Sequence, residues 1–199
     1  DYGVFEIGMD KKGEIDYLSK MVKPEIAVIT NVSSAHLENF SSLKGIALAK
    51  AEIINNIIDE GSIVLNKDNK FFSLLSEKAK NKKINIISFS TKKKAHIYLI
   101  SIKKYHNYKR LKLNIKNKIF YFDIKHSTEN FIENILAAVS VLNLLGLNLK
   151  KLQKVFINFE IPSGRGDIKI IRKFNKKFKF IDESYNANPL SMLSAIKNM

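Results

Sequence analysis

Apolar and polar positions along this chain follow two rhythms, and the change between them divides it. In the first half, short apolar runs alternate with amphipathic stretches, which predicts buried parallel strands covered by helices. "VFEIGM" (Val4 to Met9) reads as a buried strand, followed by a helix over about 13–22. "EIAVIT" is a second strand ending near Thr30, and beyond the loop "NVSSAHLENF" a single helix is expected over about 42–58. "SIVLN" and "INIISF" are further strands, with Asp68 as the expected cap of a helix running to about Lys80.

From Ala95 the rhythm shortens to strict alternation. "HIYLISIKK", "KRLKLNIK" and "KIFYFDIK" are separated by polar turns such as Asn117-Lys118, which predicts a small antiparallel ribbon. A helix over about 129–145 follows, with Thr128 as cap and Gly146 as stop. A shorter helix is expected over about 150–159. "EIPSGRGD" reads as a linker, with a boundary near Pro162 between a domain at 1–162 and the start of another at 163–199. Beyond it lie the strands "IKIIRKF" and "KFKFID" and a helix opened by Asn188 and Pro189. No internal repeat is visible. The fold class predicted is α/β: a mostly parallel sheet flanked by helices, with an antiparallel ribbon region.

Composition narrows the functional classes. Apolar content of 45% with only 8 Gly and 3 Pro excludes a disordered chain. The absence of cysteine excludes disulfides and thiolate metal sites. No apolar run reaches the roughly 18 residues of a membrane span, and no signal peptide is visible, so a cytoplasmic protein is expected. The chain opens on Asp1, directly into a strand, and stops inside a helical pattern, so it reads as a fragment. The net charge of +15 is mostly lysine travelling with Asn and Ile, the composition of a solvated surface; a basic nucleic-acid-binding module is the alternative.

Three residues sit where their chemistry is out of place. Glu6 interrupts an apolar strand, where it either pairs with a buried cation or faces a metal at the carboxyl end of the sheet. His36 lies just beyond the strand "AVIT", as a solvated loop residue or a metal ligand. At 100° per residue Lys50 falls among Leu43, Ile46, Ile53, Ile54 and Ile57, where a lysine must snorkel, pair with an acid or be chemically changed. Gly3 and Gly8 mimic the start of a phosphate-binding loop, but Met9 and Asp10 follow where Lys and Ser or Thr are needed.

Together the stretches "VFEIGMDKKGEIDYL", "PEIAVITNVSSAHLENFSSLKGIALAKAEI" and "GRGDIKIIRKFNKKFKFIDESYNANPLSM" resemble the Mur ligases, ATP-dependent amide-forming enzymes of peptidoglycan precursor synthesis. The "TNV…AHLE" and "SYNANP" stretches resemble the members that add D-alanyl-D-alanine, whereas about 66–127 matches only in layout. The resemblance implies a central ATPase-type domain and the beginning of a Rossmann-like C-terminal domain. The family's N-terminal domain and phosphate loop would lie upstream of Asp1, leaving the isolated piece inactive.

It also implies roles. Glu6 and His36 would hold two Mg²⁺ ions, with Lys50 as a carbamylated lysine supplying an anionic oxygen; Lys50 and His36 would be the catalytic pair. Asn134, Arg165, Asp182 and Glu183 would meet ATP, and Asn31, Ser184, Tyr185, Asn186 and Asn188 would line the substrate cleft. Two departures stand out: Asn130 and Phe131 replace a His and an Asn, and Glu183 stands where relatives usually carry aspartate. The implied substrates are UDP-N-acetylmuramoyl-tripeptide and D-alanyl-D-alanine, joined by a monomer through an acyl phosphate, with no nucleic acid or membrane span. A sister ligase that adds another amino acid, or glutamate to folate, is the alternative within the enzyme class.

Overall fold

The computed structural model describes residues 1–33, 39–125, 129–159, 164, 167–182, 184–185, 192–193 and 196. Six strands form one sheet in sequential order: β1 (Ile26–Ile29), β2 (Ser62–Asn66), β3 (Asn85–Ser90), β4 (Ile97–Lys104), β5 (Lys109–Ile115) and β6 (Lys118–Ile124). The first three pairings are parallel and the last two antiparallel. The flanking helices are α1 (Glu14–Val22), α2 (Leu43–Lys50), α3 (Phe72–Asn81) and α4 (Glu129–Leu144). A separate hairpin pairs β7 (Asp167–Lys173) with β8 (Lys176–Asp182).

The continuous apolar run of β2 is buried at every position, as a strand covered on both faces requires. Ile63 and Leu65 enter a core with α2 and α3, while Val64 points into a second core with α4 and the ribbon. In β5 burial alternates instead, with Leu111, Leu113 and Ile115 inward, because one face of the ribbon meets solvent. Gly61 precedes β2 at a point where no side chain fits: a Cβ there would lie 2.5 Å from Ile57 Cγ2 and 2.9 Å from the Glu25 carbonyl.

The two rhythms meet at an unusual join. Parallel neighbours normally need a crossover of about a dozen residues. Here β3 and β4 share only the rungs Phe89–Ile97 and Ser90–Tyr98, so six residues suffice. His96 Nδ1 accepts from the Ser88 amide at 3.0 Å and fixes the reversal.

Several expectations need correction. Residues 1–9 form no strand: Val4 is 96% exposed and Phe5 66%, and no ladder partner is present among the described residues. Apolar composition alone cannot make a strand without a neighbouring backbone to pair with. The helix expected over 42–58 changes winding at Lys50 and continues as a 3₁₀ segment, Ala51–Asn56. Asp68 does not cap α3 but bonds to the end of β3, as described below. The helix expected over 150–159 is two short 3₁₀ pieces, Leu149–Leu152 and Val155–Asn158. They cover the β6 edge, where the Gln153 carbonyl accepts from the Asp123 amide at 2.8 Å.

Gly146 does end α4, at φ 70°, with the Leu147 amide bonded back to the Leu142 carbonyl at 3.1 Å. The β5–β6 turn is Lys116-Asn117, both left-handed, rather than Asn117-Lys118. Thr128, Pro162, Asn188 and Pro189 lie outside the described residues.

Candidate functional site

Because β1, β2 and β3 run parallel, their carboxyl ends and the loops that follow share one edge of the sheet, where ligands of open α/β sheets gather. Side-chain hydrogen bonds bind these loops into a continuous rim. After β1, Asn31 Oδ1 accepts from the Asn69 side-chain amide, which also donates to the Val32 carbonyl at 3.2 Å. Asn69 Oδ1 in turn accepts from the Phe71 amide at 3.0 Å, ahead of α3.

The Asp68 carboxylate accepts from Ser90 Oγ at 2.7 Å, the Thr91 amide at 2.7 Å and Thr91 Oγ1 at 3.2 Å, joining the exit of β2 to that of β3. Asn66 Oδ1 accepts from the Asp68 amide at 2.9 Å and tightens the turn. Asn66, Asp68 and Asn69 were not among the candidates read from the sequence. Their signal was a polar cluster, N-x-D-N, that begins on the last residue of β2, directly after its apolar run Ile63-Val64-Leu65.

Lys50 is the last residue of α2, the helix whose inner face joins the core on one side of the parallel strands. Ser42 caps that helix by accepting from the Gly45 amide at 3.1 Å, and Ile46, Ala47 and Ala49 bury its inner face. The small residues of "GIALAKA" let α2 pack closely, so the Lys50 side chain ends half-buried. It has no hydrogen-bond or ion-pair partner among the described residues. Burial pushes its ammonium below the ordinary lysine range, which enlarges the neutral fraction. A neutral amine is the form that can attack CO₂ to give a carbamate.

Glu6 does not meet the cost expected of a buried acid, because it is exposed. Its neighbours anchor the segment: Met9 is buried and Ile7 half-buried against the core that also contains Ile46, Ala47 and Ala49 of α2. Glu6 and the Lys50 helix therefore border one apolar cluster. A shallow pocket of about 440 Å³ lies beside the same segment, walled by Gly8, Lys11, Lys12 and Tyr17.

At the far end of the chain, Asp182 closes β8 and accepts from Ser184 Oγ at 2.6 Å and the Ser184 amide at 3.1 Å. These two bonds, the hydroxyl first, hold its carboxyl below the usual carboxylate range. The Tyr185 amide donates to the Gly164 carbonyl at 2.9 Å. Gly164 stands at φ 79°, and a Cβ there would lie 2.9 Å from that of Tyr185, so only glycine fits. The structure thus brings Asp182, Ser184 and Tyr185 into one turn. Asn134 is exposed on α4. His36, Arg165, Glu183, Asn186 and Asn188 lie outside the described residues. Among the described residues no three His, Asp or Glu side chains gather as a ready metal site.

A half-buried lysine on a helix that covers a parallel sheet, with an acidic turn on a separate hairpin, is an arrangement that comparison with known proteins places in a family. The family model described as the Mur ligase middle domain matches residues 1–142, and the chain belongs to the Mur ligase family. It is similar, at 35% identity over 198 residues, to the UDP-N-acetylmuramoyl-tripeptide–D-alanyl-D-alanine ligase of Rickettsia prowazekii, covering 99% of this chain and 43% of that protein. The ligase of the same description from Buchnera aphidicola is also 35% identical, over 207 residues, covering 98% and 42%. Among solved structures, MurF from Acinetobacter baumannii superposes with a TM-score of 0.83 at 30% identity, over 96% of this chain and 40% of that one. The chain therefore spans about two fifths of the length of these relatives.

Proposed function

We propose that the protein carrying this chain is an ATP-dependent ligase that joins D-alanyl-D-alanine to UDP-N-acetylmuramoyl-tripeptide, the activity for which its relatives are named. The observation that carries this reading is Lys50: half-buried at the end of α2 and without a side-chain partner among the described residues, with burial holding its ammonium below the ordinary lysine range. A lysine placed so is costly to keep as an ammonium and useful as a carbamate.

In the reaction, an oxygen of the tripeptide's terminal carboxylate attacks the γ-phosphorus of ATP and ADP leaves, giving an acyl phosphate. The amine of D-alanyl-D-alanine then attacks the acyl carbon. The tetrahedral intermediate expels phosphate, and the amine's proton is lost as the amide forms. Mg²⁺, when bound, neutralises the charge of phosphate and carboxylate so that two anions can approach.

Glu6, His36 and carbamylated Lys50 would hold two such ions. The exposed carboxylate of Glu6 and the carbamate oxygens suit a hard cation, whereas the unmodified amine does not. Asn134, Arg165, Asp182 and Glu183 would contact the nucleotide. Asn31 would face the substrate, held by Asn69, with Ser184, Tyr185, Asn186 and Asn188 across the cleft. The reading assigns 1–162 to the central domain and 163–199 to the next, which the separate β7–β8 sheet supports. It also carries a cytoplasmic location and a monomeric enzyme. Among the described residues no helix is long and apolar enough to cross a membrane.

The test is Lys50→Ala in the protein that carries this chain. Ligation is expected to fall by about a thousandfold or more, the scale of removing a charge-stabilising group, with the folded structure unchanged. Millimolar acetate, standing in for the missing carboxylate, restores part of the rate. Undiminished ligation by this variant overturns the assignment of Lys50.

A further inference from the structure

α1 begins without a cap of its own: Gly13 occupies the N-cap position at φ 92° and offers no side-chain acceptor. The missing acceptor comes from 39 residues away. Both oxygens of Glu52 accept from the Gly13 amide, at 3.0 and 2.9 Å, and one accepts from the Asp16 amide at 3.3 Å. Glu52 lies two residues after Lys50, in the 3₁₀ segment where the winding of α2 changes.

Its neighbours on that segment grip the same helix. The Asn56 side-chain amide donates to Asp16 Oδ1 at 3.0 Å, to the Asp16 carbonyl at 3.0 Å and to Ser19 Oγ at 2.9 Å. Asn55 adds a bond to Asp16 Oδ1 at 3.3 Å. An anionic acceptor at a helix N-terminus also meets the positive end of the helix dipole, so Glu52 is the strongest member of this set.

The loop that Glu52 fixes lies next to a candidate site residue, Glu6. It connects the Glu6 segment to α1 and forms a wall of the 440 Å³ pocket through Lys11, Lys12 and Gly13. We infer that Glu52 is a positioning residue that locks this loop, and the Glu6 segment before it, in register with the helix ending at Lys50. Its catalytic consequence rests on the ligase reading; the anchoring itself does not. Glu52 thus ties the α1 loop to the segment that directly follows Lys50.

The experiment compares wild type with Glu52→Ala and Glu52→Gln by residue-resolved amide hydrogen exchange and by ligation kinetics, in the protein that carries this chain. In Glu52→Ala the Gly13 and Asp16 amides are expected to exchange at least tenfold faster, while those of β2 and β3 keep wild-type protection. The kcat for ligation falls about tenfold and the Mg²⁺ concentration for half-maximal rate rises, with KM for D-alanyl-D-alanine unchanged. Glu52→Gln, which keeps one acceptor oxygen, recovers part of both effects and serves if the alanine variant does not fold.

Unchanged exchange at Gly13 and Asp16 overturns the inference, whatever the protein catalyses. Protection lost across the whole sheet with a wild-type kcat also overturns it, since that is the signature of packing alone. If wild type itself fails to ligate, the ligase reading falls, and faster exchange confined to Gly13 and Asp16 still establishes the anchor.

Discussion

The two halves of the six-stranded sheet keep their polar side chains in different places, and for different ends. In the parallel half, polar side chains collect beyond the strand ends, where Asn31, Asn69, Asp68, Ser90 and Thr91 bond to one another across three loops. In the ribbon, the main polar investment is one ion pair on the sheet itself. Arg110 Nε donates to Asp123 Oδ1 at 2.7 Å and Nη2 to Oδ2 at 3.0 Å, with Gln153 adding a bond at 3.2 Å.

That pair seals the outer strand. Asp123 is 2% exposed and Arg110 30%, and the guanidinium lies over Tyr105 and Tyr108, which stack at 4.6 Å. The rim is a network across separate loops, able to set the position of a ligand; the ion pair is local and closed. The contrast teaches that the ribbon uses its polar groups to close the sheet, whereas the parallel half leaves them at the edge where a ligand can reach.

The largest effect is expected where the halves meet. Phe89 is wholly buried in β3 opposite Ile97, and Phe89→Ala should cost about 3–5 kcal/mol in denaturant unfolding. If the halves then melt in two separate transitions, the join is what couples them.

Next comes Asp123→Ala, which leaves a partly desolvated guanidinium unpaired. A loss of about 2–3 kcal/mol is expected, below that of a fully buried pair because Arg110 retains some solvent. The Arg110 hydrogen bonds, with help from Gln153, hold the Asp123 carboxyl below the ordinary value of 3.8. The stabilisation from this pair is therefore fully present above that value and disappears as pH falls through the depressed one, a loss the alanine variant should not show.

Asp68→Ala, in the rim, should cost about 1–2 kcal/mol, because water can replace part of its bonding at the loop surface. The comparison sharpens if this change reduces ligation more than Asp123→Ala does, despite its smaller effect on stability. If the ribbon variant is the more damaging to ligation, the division of labour is wrong.

The smallest effect has the opposite sign. In CO₂-free buffer without Mg²⁺, where Lys50 carries no carbamate, Lys50→Met should stabilise by about 1 kcal/mol at neutral pH, since a half-buried ammonium is replaced by an apolar chain of similar length. Burial lowers the folded-state pKa of Lys50, so between that value and 10.5 the unfolded chain binds the extra proton and wild-type stability rises with pH. The advantage of the methionine variant should therefore shrink as pH approaches 10.5.

The elements most legible in the sequence were those with a clean period. The ribbon strands and the apolar runs of β2 and β3 announced themselves, because alternation and continuous burial leave distinct patterns. "VFEIGM" misled because an apolar run specifies a preference for burial and not the partner strand that would satisfy it.

The break at Lys50 was invisible for a related reason. A 3₁₀ turn continues nearly the same side-chain face for one turn, and nothing in "AEIINN" stops an α-helix. In the site, Lys50 was legible as a charge in an apolar stripe. Glu52, beside it, was not, since a carboxylate that caps a helix 39 residues away looks like any surface acid until the chain is folded.

Two rungs are all the backbone pairing that ties the parallel strands to the ribbon, and α4, which packs across β2, β3 and β4, spans that gap like a batten over a seam. Hairpins assemble from near neighbours in sequence, so β4, β5 and β6 can form early and wait. Without α4 over it that seam is held by two rungs alone, so a pulling force that displaces the helix is expected to part the sheet there first.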